Sequence, residues 1–195
     1  MKNLLIILSF IPSLVFSQPV YNTQKINEHF LTILNQERSS LNLNPVQIDT
    51  TMAIVEDVWA QKVVSTYVTE NDKLEECAIK KVPYIWNVNL HGEGEEYFSN
   101  RCLKLLGSRH GMSENIAGFF FFKDSVINEY KIALALFTEW KNSKGHYTLM
   151  TDPNIDFIYL GVATQKRKEG SRWEEVWFGG ALLMKKQKEF QKGFH

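Results

Sequence analysis

The sequence predicts an α+β fold, with helices packed on a small antiparallel sheet. Apolar residues recur at helical spacing in three stretches before residue 143. Two later runs, 158–164 and 173–183, read as β-strands, and the second is rich in aromatic residues (Trp173, Trp177, Phe178). Between these runs, 165–172 is charged and contains Gly170, as a hairpin turn would. Helices first and a closing antiparallel hairpin argue for segregated helices and strands on one core.

The first helix is expected over 23–41, with Ile26, Phe30, Ile33, Leu34 and Arg38 in register. Asn42 and Asn44-Pro45 end it, and 45–49 is a short extended link. Asp49 or Thr50 caps the second helix, expected over 51–67 with Ala53, Ile54, Val58, Trp59, Val63 and Val64. From 69 to 111 the periodicity weakens. An acidic start is followed by an apolar piece at 82–90, a helix over 95–106 and a loop at 107–111. Glu114-Asn115-Ile116-Ala117 then leads into Gly118 and four phenylalanines, 119–122. The third helix is expected to be capped near Asp124 and to run to about 140–143, where Lys144-Gly145-His146 stops it.

The N-terminus has an export pattern. Lys2 precedes an apolar run, 4–16, interrupted by Pro12 and Ser13, and cleavage is expected after Ser17. The run is shorter than the roughly 20 residues that span a bilayer. Residues 1–17 are therefore expected to be a signal peptide and 18–195 a single secreted or periplasmic domain with no transmembrane span. Lys and Arg (22) balance Asp and Glu (22), which leaves no electrostatic footprint for nucleic acid. Two cysteines, Cys77 and Cys102, lie outside any CxxC or metal spacing. They form either a bridge closing about 25 residues, contributing about 3 kcal/mol, or two separate buried thiols.

The residues able to carry chemistry are His91, Glu114, Glu139 and His146, in or beside loops. Two imidazoles with carboxylates suit a partly open divalent site. Spacing alone does not decide this, since no HxxxH or HExxH is present, and the alternative is four ordinary polar residues at loop ends. Ser113, beside His110 and Glu114, is a nucleophile only if a base and an orienting group reach it, which adjacency in sequence does not show. The run 119–122 is either a lipid-facing patch or a strand buried on both faces.

Several motifs resemble the CAP superfamily of cysteine-rich secretory, venom-antigen and plant pathogenesis-related proteins, in its compact bacterial SCP-like form. Asn35 and Arg38, followed by Leu43-Asn44-Pro45-Val46, are similar to the family's opening helix and link. Ala53, Trp59 and Ala60 are similar to its second helix. Ser113-Glu114-Asn115-Ile116-Ala117-Gly118 resembles its "GENIA" motif, with Ser113 where Gly is usual. Trp140-Lys141-Asn142-Ser143-Lys144-Gly145-His146 resembles "W-x-x-S-x-G-H", and Leu160-Gly161-Val162-Ala163 its "igvG" strand. The likeness covers about 26–184.

The resemblance implies a three-layer α-β-α sandwich with a cleft holding two histidines and two glutamates. His146 is then the second histidine and Glu114 the first glutamate. His91 is favoured as the first histidine, with His110 as rival, and Glu139 is either the second glutamate or an exposed helix residue. The resemblance also implies a binding module for a small ligand, a lipid or an envelope or extracellular partner, with Zn²⁺ or another divalent metal held by His91 and His146. The alternative is a metal-dependent hydrolase, in which that metal lowers the pKa of bound water toward about 7 and Glu114 is the general base.

Overall fold

The structure, a computed structural model, describes residues 21–122, 126–166 and 175–186. The expected leader, the cap at Asp124 and the hairpin tip with Trp173 lie outside them. In chain order the elements are α1 (Thr23–Ser40), β1 (Gln47–Ile48), α2 (Ala53–Lys80), α3 (Phe98–Leu106), β2 (Met112–Phe122), α4 (Glu129–Lys141), α5 (Lys144–Met150), β3 (Ile155–Lys166) and β4 (Glu175–Lys186). Two 3-10 turns, Thr50–Met52 and Gly94–Glu96, precede α2 and α3.

The Asn22 side chain caps α1 by accepting from the Lys25 N–H. Its stripe of Ile26, Phe30 and Leu34 is buried in the same core as α4. Two polar side chains then fix the exit from the helix. Asn35 accepts from the Val46 N–H at 2.9 Å and donates to the Val46 carbonyl at 3.0 Å. Arg38, fully buried, donates to the carbonyls of Asn44, Met150, Asp152 and Ile155. These bonds satisfy carbonyls that would otherwise be buried without partners, and they tie the link after α1 to the loop before β3.

The sheet has the order β1-β3-β4-β2. β3, β4 and β2 are antiparallel neighbours, and β1 pairs in parallel with β3. The sheet is therefore mixed where an antiparallel one was expected, because the link after α1 contributes two paired residues at its edge. Side chains alternate along β4 as a strand requires. Phe178, Leu182 and Met184 join the core with α1 and α4. Trp177 and Ala181 pack with Trp59, Ala60, Val63 and Val64 of α2, and Leu183 with Val55 of α2. Helices thus cover both faces, giving the three-layer sandwich.

α2 sits unusually close to the sheet. A Cβ at Gly161 would lie 2.2 Å from the Glu56 carbonyl, and one at Gly179 would lie 2.6 Å from the Val64 amide. Only hydrogen at these two positions leaves room for the helix backbone.

Four elements depart from expectation. α2 continues past residue 67 to Lys80, ending at Lys81 in the left-handed region (φ 56). Its second half is held partly by Lys73–Glu70 and Lys80–Glu76 pairs. α4 starts at Glu129, where the Asn128 side chain accepts from the Lys131 N–H. Lys144-Gly145-His146 opens α5 instead of terminating a helix. The phenylalanine run belongs to β2, an edge strand. Phe119 and Phe121 pack into the core with α1 and α4, while Phe120 and Phe122 are exposed on the other face.

Candidate functional site

Five segments converge beside the first half of β2: α2 with Glu56, the loop before α3 with His91, α3 with Arg101 and Cys102, β2 with Glu114 and Asn115, and α5 with His146. Strand alternation sends Glu114 toward α2 and Asn115 toward α4 and α5.

The loop carrying His91 is pinned on several sides. Trp59 Nε1 donates to the Leu90 carbonyl at 3.0 Å. The His91 N–H donates to Asn89 Oδ1 at 3.1 Å, and its carbonyl accepts from the Phe98 N–H at 3.0 Å. Gly92 follows at φ +82, where a Cβ would fall 2.3 Å from the Glu96 carbonyl. Backbone geometry and space both demand glycine there.

Glu114 is the hub. Its side chain is 0% exposed. Oε2 lies 2.9 Å from His91 Nδ1, and Oε1 accepts from Arg101 Nη2. Arg101 also donates to the carbonyls of His91 and Glu96, and its guanidinium stacks 3.6 Å over the Trp59 ring. Burial pushes the Glu114 carboxyl up to about 7, and Arg101 opposes the rise. When Glu114 is ionised, His91 carries its proton on Nδ1, which leaves the Nε2 lone pair as the acceptor. Burial, and then Arg101, lowers the His91 pKa.

His146 reaches the same place from the other side. Its carbonyl accepts from Asn115 Nδ2 at 3.1 Å. Burial lowers its pKa and the charge of His91 lowers it further, so the two imidazoles lie within electrostatic reach of one another. At neutral pH both are uncharged rings, half-buried, each with one donor and one acceptor.

Beneath Glu114 lies Glu56, which is fully buried and whose carboxyl has the Glu114 carboxyl beside it to share its proton with. Burial first, and the Glu114 carboxylate second, drive its pKa well above 4.5, with Arg101 acting against the rise. Cys102 borders the same pair. Burial and the two carboxyls push its thiol up to about 12, so it is not a nucleophile near neutral pH. Cys102 and Cys77 are both free thiols.

The structure therefore brings His91 and Glu114 into contact and sets His146 within electrostatic reach of His91. His110 lines a different hollow, of about 500 Å³, with Thr51, Met112 and Lys185. Glu139 lines a third, with Tyr67, Gly118 and Trp177. Ser113 alternates to the opposite side of β2 from Glu114. Sequence reasoning missed Arg101 and Glu56. For Glu56 a signal existed: it falls on the apolar stripe of α2, between Val55 and Trp59. Arg101 carries no comparable mark.

Whether the cleft suits a divalent metal depends on its donors. His91 Nε2 and His146 supply two nitrogens. Glu114, buried and held on both oxygens, is not free to ligate, and Arg101 sets a fixed positive charge beside it. Among the described residues, no three His, Cys, Asp or Glu side chains gather as a metal site. Catalytic zinc sites use three protein ligands. The residues do not fit a resident metal.

A family model described as "Cysteine-rich secretory protein family" (CAP) matches residues 31–179. Among solved structures, the chain is similar to an outer surface protein from Borrelia burgdorferi, at 16% identity over 85% of this chain and 96% of that one, with a TM-score of 0.40. It is also similar to a cysteine-rich secretory protein from Staphylococcus aureus subsp. aureus Mu50. That match has 12% identity over 87% of this chain and 41% of that one, with a TM-score of 0.39. No curated protein matches the chain.

Proposed function

The chain belongs to the cysteine-rich secretory protein (CAP) family, and from that premise we propose that it is an exported, non-enzymatic binding module. Its cleft presents the His91 and His146 imidazoles to a small polar ligand. The observation that carries this reading is the clamp on Glu114. A carboxyl with a pKa near 7 would in isolation suit a general base. A base must also touch the proton it removes, and Glu114 is shielded from solvent with both oxygens engaged by Arg101 and His91. It acts as a positioning residue, fixing the ring and tautomer of His91.

Export follows from the sequence pattern at 1–17. Among the described residues no helix is long and apolar enough to cross a membrane.

The test uses the full mature chain. Incubation with a broad peptide library, with and without Zn²⁺, is expected to give no turnover, and calorimetric titration with Zn²⁺ is expected to give no site tighter than micromolar. Peptide turnover lost in Glu114→Gln would overturn the non-enzymatic reading. A tight zinc site lost in His91→Ala/His146→Ala would overturn the metal-free reading of the cleft.

A further inference from the structure

The hollow that Glu139 lines, apart from the histidines, opens at the sheet edge formed by β2. It measures about 390 Å³, within the range of small-ligand sites. Its floor is Gly118, on which the Tyr67 ring lies flat; a Cβ there would sit 2.1 Å from that ring. Tyr67 continues into an array of rings. Trp86 lies 5.3 Å away on one side and Trp177 6.4 Å on the other, nearly parallel to it. Phe120 follows 4.9 Å beyond Trp177. Trp86 and Phe120 are 42% and 39% exposed, so the rings line an open wall. Glu139, from α4, faces them across the hollow. Among the described residues it is the one charged side chain that lines the hollow.

We propose that this hollow binds a quaternary ammonium group of the choline type. Aromatic faces carry negative electrostatic potential, and a carboxylate adds a full negative charge, so the ligand is a cation. An apolar chain would fit the rings and leave Glu139 unused. A primary ammonium would carry three donors into a site whose walls are mostly carbon, whereas a trimethylammonium has none to satisfy. A metal ion would find a single carboxylate.

The experiment uses the intact mature protein, with choline as probe and its uncharged isostere 3,3-dimethylbutan-1-ol as control, read by tryptophan fluorescence and calorimetry. Choline is expected to saturate one site and the isostere to bind at least about tenfold more weakly, in line with a cation–π and ion-pair contribution. Trp86→Ala and Glu139→Gln, both at exposed positions that leave the core intact, are each expected to weaken choline about five- to tenfold. Equal affinity for choline and the isostere, or choline binding unchanged in both variants, would overturn the assignment. Co-sedimentation with phosphatidylcholine vesicles separates the two sources of the group. Capture that choline displaces identifies a lipid headgroup, and choline binding without vesicle capture identifies a free small molecule.

Discussion

Replacing Glu56 with glutamine should convert a pH-dependent stability into a flatter one. Glu56 is fully buried, and the Glu114 carboxyl beside it is both its like charge and the acceptor for its proton. Its folded-state pKa stands well above the unfolded value of 4.5. The sign follows from proton counting. Above 4.5 the unfolded chain releases this proton while the folded chain keeps it, so the folded state binds more. The stability contribution is fully present below 4.5 and is lost as pH rises toward the folded pKa. The loss is about 1.4 kcal/mol per pH unit while the folded group stays protonated. Glutamine has nearly the shape of the protonated acid and no proton to lose. Urea melts followed by tryptophan fluorescence at several pH values would measure the gap. Glu56→Gln should gain on the parent protein as pH rises from 4.5 toward the folded pKa, by about 1.4 kcal/mol per unit. Two parallel curves, with a gap independent of pH, would refute the reasoning, because they would mean that Glu56 ionises as readily in the fold as in water.

Arg101→Met should destabilise by about 3–5 kcal/mol, since it leaves the Glu114 carboxyl buried beside Glu56 without its counter-ion; the same melts read it, and a loss under 1 kcal/mol would contradict the clamp. Gly161→Ala should cost about 3 kcal/mol or more, because its Cβ meets the α2 backbone at 2.2 Å. Gly145→Ala in α5, where a Cβ meets nothing within 4 Å, should stabilise by about 0.5–1 kcal/mol. NMR titration of the imidazoles should find His91 and His146 both below the ordinary 6.5, and His91→Ala should move His146 back upward because His91 is part of its shift.

The layers were legible because their signals are local. The stripe of Ile26, Phe30 and Leu34 marks α1, and the aromatic run of β4 with the charged turn before it marks the closing hairpin. Asn35, read only within a motif, and Arg38, read also in the register of α1, prove to be the two side chains that hold the link and the 150–155 loop in place. The far half of α2 was not legible. Leu74 and Ile79 are exposed there, so apolar periodicity fades while the helix continues. Arg101 could not be recognised either, because its role exists only once α3 lies across Trp59 and Glu114.

Glu139, read either as the second glutamate or as an exposed helix residue, proves to be exposed on α4, and the chain after it shows why. It stands seven positions before His146, which is nearly two whole turns on one continuous helix and would put both on one face. The chain does not continue as one helix. α4 ends at Lys141, Asn142 and Ser143 break it, and α5 restarts at Lys144. The break lets His146 fold back onto Asn115, two residues short of Ala117. Glu139 stays on the α4 axis and meets β2 at Gly118, about 13 Å along the strand from Glu114 at roughly 3.3 Å per residue. Two residues of irregular backbone therefore set His146 beside Asn115 and leave Glu139 beside Gly118.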